Sequence, residues 1–146
     1  MKNFHCENHE NHYHLWNKVI HNLEEFKAEN PGKSFSGNER FVLLKHSSAQ
    51  ELYKSEGLKE FSYGIPYCYA CEEAMELKLK FDELNQSESK ESPCKFCPIT
   101  WYNNNNQQVK TCISAWSEYD RILLHNDIDR IIELSKRIRD KEWKTR

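Results

Sequence analysis

The residues in this chain whose spacing carries the most chemistry are cysteines. Cys68 and Cys71 are separated by two residues, and so are Cys94 and Cys97. At that spacing the backbone can fold into a tight knuckle that turns both sulfurs towards one ion. Two knuckles together supply a tetrahedral four-sulfur shell, with zinc–sulfur distances of about 2.3 Å. Soft thiolates select zinc or an iron–sulfur cluster, and the paired spacing predicts zinc held by Cys68, Cys71, Cys94 and Cys97. The spacer Glu72–Pro93 is slightly longer than the commonest zinc spacing. A helix leaving the first knuckle and a polar return to the second would fill it. Pro66 and Pro93 stiffen the approaches, Pro98 stops the chain from running straight into a helix after Cys97, and Tyr67, Tyr69, Phe96 and Trp101 are placed to shield the sulfurs. Four sulfur ligands leave no coordination position for water, so the predicted site is structural and the chain is not expected to be an enzyme.

Other constellations are weaker. His5, Cys6, His9, His12 and His14 crowd the N-terminal region, but their spacing matches no tight metal motif and reads as an exposed polar tail. Cys112 lies close enough in sequence to raise a fifth-ligand role and reads first as a small buried apolar residue. His5-Cys6-Glu7 together with Pro93-Cys94-Lys95-Phe96-Cys97 fits the two halves of the zinc nucleobase-deaminase signature. In that chemistry His5, Cys94 and Cys97 would hold the metal and Glu7 would move the proton. Cys68 and Cys71 are the better partners for Cys94 and Cys97, so this reading ranks as a remote alternative. No phosphate-binding loop, Gly-rich dinucleotide turn, G-x-S-x-G or H-E-x-x-H occurs, and four glycines leave little material for one.

The elements that must position the knuckles follow from periodicity. Trp16, Val19, Ile20, Leu23 and Phe26 share one face of a helix over 11–29, which Pro31-Gly32 ends. Lys33–Arg40 reads as a loop. Phe41-Val42-Leu43-Leu44 fits a strand or a helix piece, and Ser47 or Ser48 caps a short helix over 49–56. Phe61–Tyr67 reads as extended. A helix over 72–84 buries Ala74, Leu77, Phe81 and Leu84. The last third predicts helices over 112–124, with Ile113, Trp116 and Leu123 on one face, and over 127–143, with Ile128, Ile131, Ile132, Leu134 and Ile138. The chain of 146 residues is therefore expected to be one mainly α-helical domain with a zinc knuckle pair and room for one short β segment. Residues 1–10 read as a polar tail, and 85–92 and 103–108 as flexible loops.

Charged residues make up 30% of the chain, yet the net charge is only −2, which gives no global grip on nucleic acid or an anionic membrane. Lys136, Arg137, Arg139, Lys141, Lys144 and Arg146, with Trp143 for stacking, leave a local nucleic-acid or nucleotide interface open. There is no secretory leader and no apolar run of membrane-spanning length, so a cytoplasmic location is expected. In that reducing compartment six cysteines are thiols or ligands before they are disulfides.

The stretches Cys68-Tyr-Ala-Cys-Glu-Glu-Ala and Cys94-Lys-Phe-Cys-Pro-Ile-Thr-Trp101, the helix ending in Asn30-Pro31-Gly32, and Ile138-Arg-Asp-Lys-Glu-Trp143 resemble a set of small zinc-binding accessory proteins of phages and prophages of low-GC Gram-positive bacteria. The resemblance implies a protein of the host cytoplasm that binds and modulates a host protein, including components of antiviral defence. It assigns no catalytic residue.

Overall fold

The computed structural model describes residues 3–35, 38–58, 68–86 and 93–144. Among these are five α-helices and one small hairpin. They are α1 (Glu7–Glu29), α2 (Asn38–Ser55), α3 (Tyr69–Leu84), α4 (Glu118–Leu124) and α5 (Ile128–Arg139). A 3-10 turn at Pro93–Phe96 precedes β1 (Trp101–Tyr102), which pairs antiparallel with β2 (Gln108–Val109). The expected mainly helical class is observed. No described helix is long and apolar enough to cross a membrane.

Helix α1 is the spine, packed against α2, α3 and α5. Its buried face runs Asn8, His12, Leu15/Trp16, Val19/Ile20 and Leu23, the three- and four-residue steps of one helical stripe. The stripe begins earlier than the apolar pattern suggested. The polar tail expected over 1–10 is helical from Glu7, and Asn8, His9, Asn11 and His12 are buried. Partners explain this burial. Asn8 Nδ2 donates to Glu73 Oε1 at 3.2 Å and Glu76 Oε2 at 3.3 Å on α3. The His9 ring stacks on Trp143 with centroids 4.7 Å apart.

Helix α2 absorbs both the ambiguous apolar run and the expected loop end. Phe41, Lys45, Ser48/Ala49 and Leu52 are its buried face. Ser47 and Ser48 are not caps: both hydroxyls donate to the Leu44 carbonyl, at 3.0 and 2.7 Å. Gly57, at φ 64, follows the helix in the left-handed conformation that glycine adopts without strain. In α3, Ala74 is buried as expected, but Phe81 and Leu84 are exposed. The extended reading of Phe61–Tyr67 and most of the predicted 85–92 loop lie outside the described residues.

The helix expected over 112–124 is shorter. Residues 111–117 form successive turns, because side chains there take the backbone groups a helix would use. The Thr111 N–H donates to Ser114 Oγ at 3.0 Å, and the Ser117 hydroxyl donates to the Cys112 carbonyl. Ser117 Oγ then accepts from the Asp120 N–H at 3.1 Å and starts α4. The Asn/Gln tract expected as a flexible loop is a closed hairpin turn. Asn103 Oδ1 accepts the N–H groups of Asn105 and Gln107 at 2.9 and 3.0 Å, and Asn106 takes φ 60.

The hairpin is clamped from behind by a buried ion pair. Lys141 Nζ lies 2.6 Å from Glu118 Oε2, and both side chains are almost fully buried. Glu118 Oε1 accepts the Tyr102 N–H at 2.8 Å, while Lys141 Nζ donates to the Thr100 carbonyl at 2.8 Å. The Lys144 N–H donates to the Pro98 carbonyl, also at 2.8 Å.

Removing one member of such a pair strands a buried charge. Lys141→Met should therefore destabilise the fold by about 3–5 kcal/mol. The double variant Lys141→Met/Glu118→Gln should lose less than the sum of its parts, as read by urea denaturation. A second prediction concerns His12. Its Nε2 is 3.0 Å from the Ile138 carbonyl oxygen, and burial pushes its pKa down from 6.5 to about 3. The unfolded chain protonates this ring and the folded chain does not. The His12 contribution is thus present above pH 6.5 and is lost as pH falls towards 3, by up to about 1.4 kcal/mol per pH unit. The urea midpoint should drop across that window, and His12→Gln should flatten the drop.

Candidate metal centre

The two cysteine pairs, distant in sequence, face one another. Cys68, Cys71, Cys94 and Cys97 all line a single cavity of about 120 Å³, with Ala74, Trp101, Thr111 and Cys112. Cys68 is the N-cap residue of α3 and Cys71 lies in its first turn. Cys94 sits in the 3-10 turn, and Cys97 follows it, its N–H bonded to the Cys94 carbonyl at 3.1 Å. Packing of that turn against α3 brings the pairs together. All six cysteines are among the described residues, and none is in a disulfide.

One cysteine of each pair accepts N–H groups at sulfur. Cys68 accepts from the backbone N–H groups of Ala70 and Cys71, and Cys97 from the Ile99 N–H and the Trp101 indole. Such bonds favour a thiolate. The Cys71 thiol also donates to the Cys68 sulfur. With Lys45 nearby, this holds the Cys68 pKa down to about 6 against the effect of burial, and it pushes Cys71 up. Burial raises Cys97, and it takes Cys112 up to about 12. A cation among these sulfurs would reverse that balance, since thiols bound to a divalent metal give up their protons. The donor set, all sulfur with no carboxylate or imidazole lining the cavity, suits a soft metal. Among the described residues, no group of three or more His, Cys, Asp or Glu side chains is drawn together in a finished ligand arrangement. The structure brings the predicted ligands to one cavity without displaying a tetrahedron.

Sequence reasoning missed Lys45. It is buried on α2, with Nζ 3.4 Å from the Tyr119 hydroxyl and 5.1 and 4.7 Å from the ring centroids of Trp16 and Tyr119. Burial opposes its charge, but the Tyr119 oxygen and the Cys68 and Cys112 sulfurs outweigh it and raise its pKa. Lys45 lines an adjoining cavity of about 140 Å³ that shares Cys68, Cys71, Trp101 and Cys112 with the first. The only signal in the sequence was a lysine in step with Phe41 and Leu52 on a helical stripe.

Cys6 is elsewhere, its thiol 3.5 Å from Glu73 Oε2. His5 and His9 stack on each other and line a different cavity with Trp143. His5 and Glu7 do not line the cysteine cavity, so the two halves of the deaminase signature are not brought together there. Three of the C-terminal cations are engaged. Arg139 pairs with Asp140 at 2.9 Å, Arg137 reaches Glu133 at 3.8 Å, and Lys141 holds Glu118. Trp143 is buried and unable to stack on a base.

Two surfaces adjoin the cysteine cavity. The loop before α4 turns Cys112 inward and leaves Ile113 and Trp116 exposed, at 73% and 53%. Trp116 has φ 63, a conformation that costs a non-glycine residue about 1–2 kcal/mol, and its N–H is held by Asp120 Oδ2 at 2.8 Å. On the other side, Lys95, Lys110 and Lys144 line an open groove of about 360 Å³ with Thr100 and Thr111. Comparison of the chain with family models, curated proteins and solved structures gives no match.

Proposed function

We propose that this chain is a zinc-stabilised binding protein, not a catalyst, in which Cys68, Cys71, Cys94 and Cys97 hold the ion and the adjoining loop engages another protein. The observation that carries this reading is the convergence of both cysteine pairs on one cavity, with N–H groups directed at one sulfur of each pair. A sulfur shell closed around zinc supplies stability and no activated water. The exposed Ile113 and the strained, exposed Trp116 sit on the loop that this cavity anchors. Backbone strain collects at binding sites, and tryptophan is a preferred anchor of protein interfaces. On the resemblance to phage accessory proteins, the partner is a host protein of the cytoplasm, and inhibition of an antiviral defence component is the outcome.

A second reading is favoured by the lysine groove. Lys95, Lys110 and Lys144 beside a metal knuckle suit the phosphates of a nucleic acid or nucleotide.

The test combines metal analysis with capture from host lysate. The purified chain should carry one zinc, and chelation should lower its melting temperature. A protein partner should be retained after nuclease treatment. Trp116→Gly should abolish capture while leaving stability unchanged or raised by up to about 1 kcal/mol, because glycine relieves the left-handed strain. A metal-free chain of full stability would overturn the zinc assignment. Capture that disappears with nuclease and falls steeply with salt would replace the protein partner with nucleic acid.

A further inference from the structure

The hairpin places one more sulfur at the proposed metal centre. β1 begins shortly after Cys97 and β2 ends shortly before Cys112, and the register pairs Trp101 with Val109. The chain leaves the second knuckle, turns at Asn103–Gln107 and comes back, so Cys97 and Cys112 meet at the same open end of the hairpin. Cys112 lines the same cavity as the four knuckle cysteines, and its sulfur interacts electrostatically with Cys68, Cys97 and Cys94. Its backbone is fixed, with its carbonyl held by the Ser117 hydroxyl and the turns on both sides closed by Thr111 and Ser114. Cys112 is half-buried and packs against the core, whereas Cys94 is exposed. Five cysteines therefore line a cavity in which a tetrahedral ion would take four, and the most exposed of them, Cys94, is one of the expected ligands.

We infer that Cys112 is a further ligand of this centre, able to complete the tetrahedron in place of Cys94. The inference rests on the zinc reading above. In the exchange the Cys112 thiol gives its proton to solvent as its sulfur binds, and the departing Cys94 thiolate takes one up. The metal keeps its oxidation state and its four sulfurs. Lys45 lies beside both Cys68 and Cys112 and keeps a compensating positive charge next to the centre in either ligand set.

Cobalt(II) tests this directly, since its visible absorption reports how many sulfurs bind it. The unaltered chain should give a four-sulfur spectrum. Cys94→Ser should keep a four-sulfur spectrum with modestly weaker affinity. Cys94→Ser/Cys112→Ser should fall to a three-sulfur spectrum and lose affinity by at least tenfold. A three-sulfur spectrum in Cys94→Ser, or a four-sulfur spectrum in the double variant, overturns the inference while leaving the metal centre intact. If the unaltered chain takes up neither cobalt nor zinc, the zinc reading itself falls. A measurement on the unaltered chain covers the case of variants that fail to fold. Once the exposed Cys94 of the zinc-loaded chain is alkylated, the zinc should be retained and Cys112 should stay protected, as mapped by mass spectrometry. Loss of zinc, or labelling of Cys112, on alkylation of Cys94 overturns the assignment.

Discussion

The position of the hairpin depends on one buried ion pair. A two-stranded ribbon of this size has too little area of its own to be stable. It persists because Glu118 and Lys141 meet behind it, one capturing the Tyr102 N–H and the other the Thr100 carbonyl. Burying both charges is favourable only when their remaining hydrogen-bonding capacity is used. The strand supplies those bonds, so pair and strand depend on each other. Lys141 Nζ also lies 5.4 and 5.2 Å from the ring centroids of Trp101 and Tyr102, which adds cation–π attraction to the same contact. The consequence reaches the cysteines. Trp101 forms one wall of their cavity, and the chain on either side of the ribbon carries Cys97 and Cys112.

A second constraint is the charge balance inside. A tetrathiolate zinc centre would be doubly negative, and Lys45 is the buried ammonium beside it. A cation held between aromatic rings and sulfur is a poor fit to an apolar core but a good fit to the edge of an anionic cluster. The N-terminal histidines do not line the cysteine cavity itself. His12, beside Lys45 on the adjoining cavity, is kept neutral by burial, and His9 stacks on Trp143.

What could be read in the sequence depended on how local its cause was. The stripes of α1 and α5 arise within a few residues and were legible, and the cysteine spacing was legible as far as the meeting of both pairs at one cavity. Phe41–Leu44 was not, because a short apolar run suits either period and only Lys45, Ser48 and Leu52 beyond it reveal the helix. The buried polar start of α1 was illegible for a different reason. Asn8 is satisfied by Glu73 and Glu76, whose approach is a property of the packed chain. Around Cys112 the helical pattern was overridden by Ser114 and Ser117, whose hydroxyls compete for the backbone. The arrival of Cys112 at the cavity follows from the hairpin register, which a tract of asparagine and glutamine does not advertise.

The stacking of Trp143 on His9 has a consequence for the order of events during synthesis. Among the described helices, α1 packs most extensively against α5, far along the chain. Until α5 emerges, α1 has only α2 and α3 to pack against, and contacts of the α1–α5 sequence separation are slow to form. Early helices with an uncovered apolar face are natural clients for chaperones. The nascent chain thus has to keep α1 soluble until α5 is made, and the exposed Glu10, Asn17, His21, Glu24 and Glu25 give that helix the polar surface to do so.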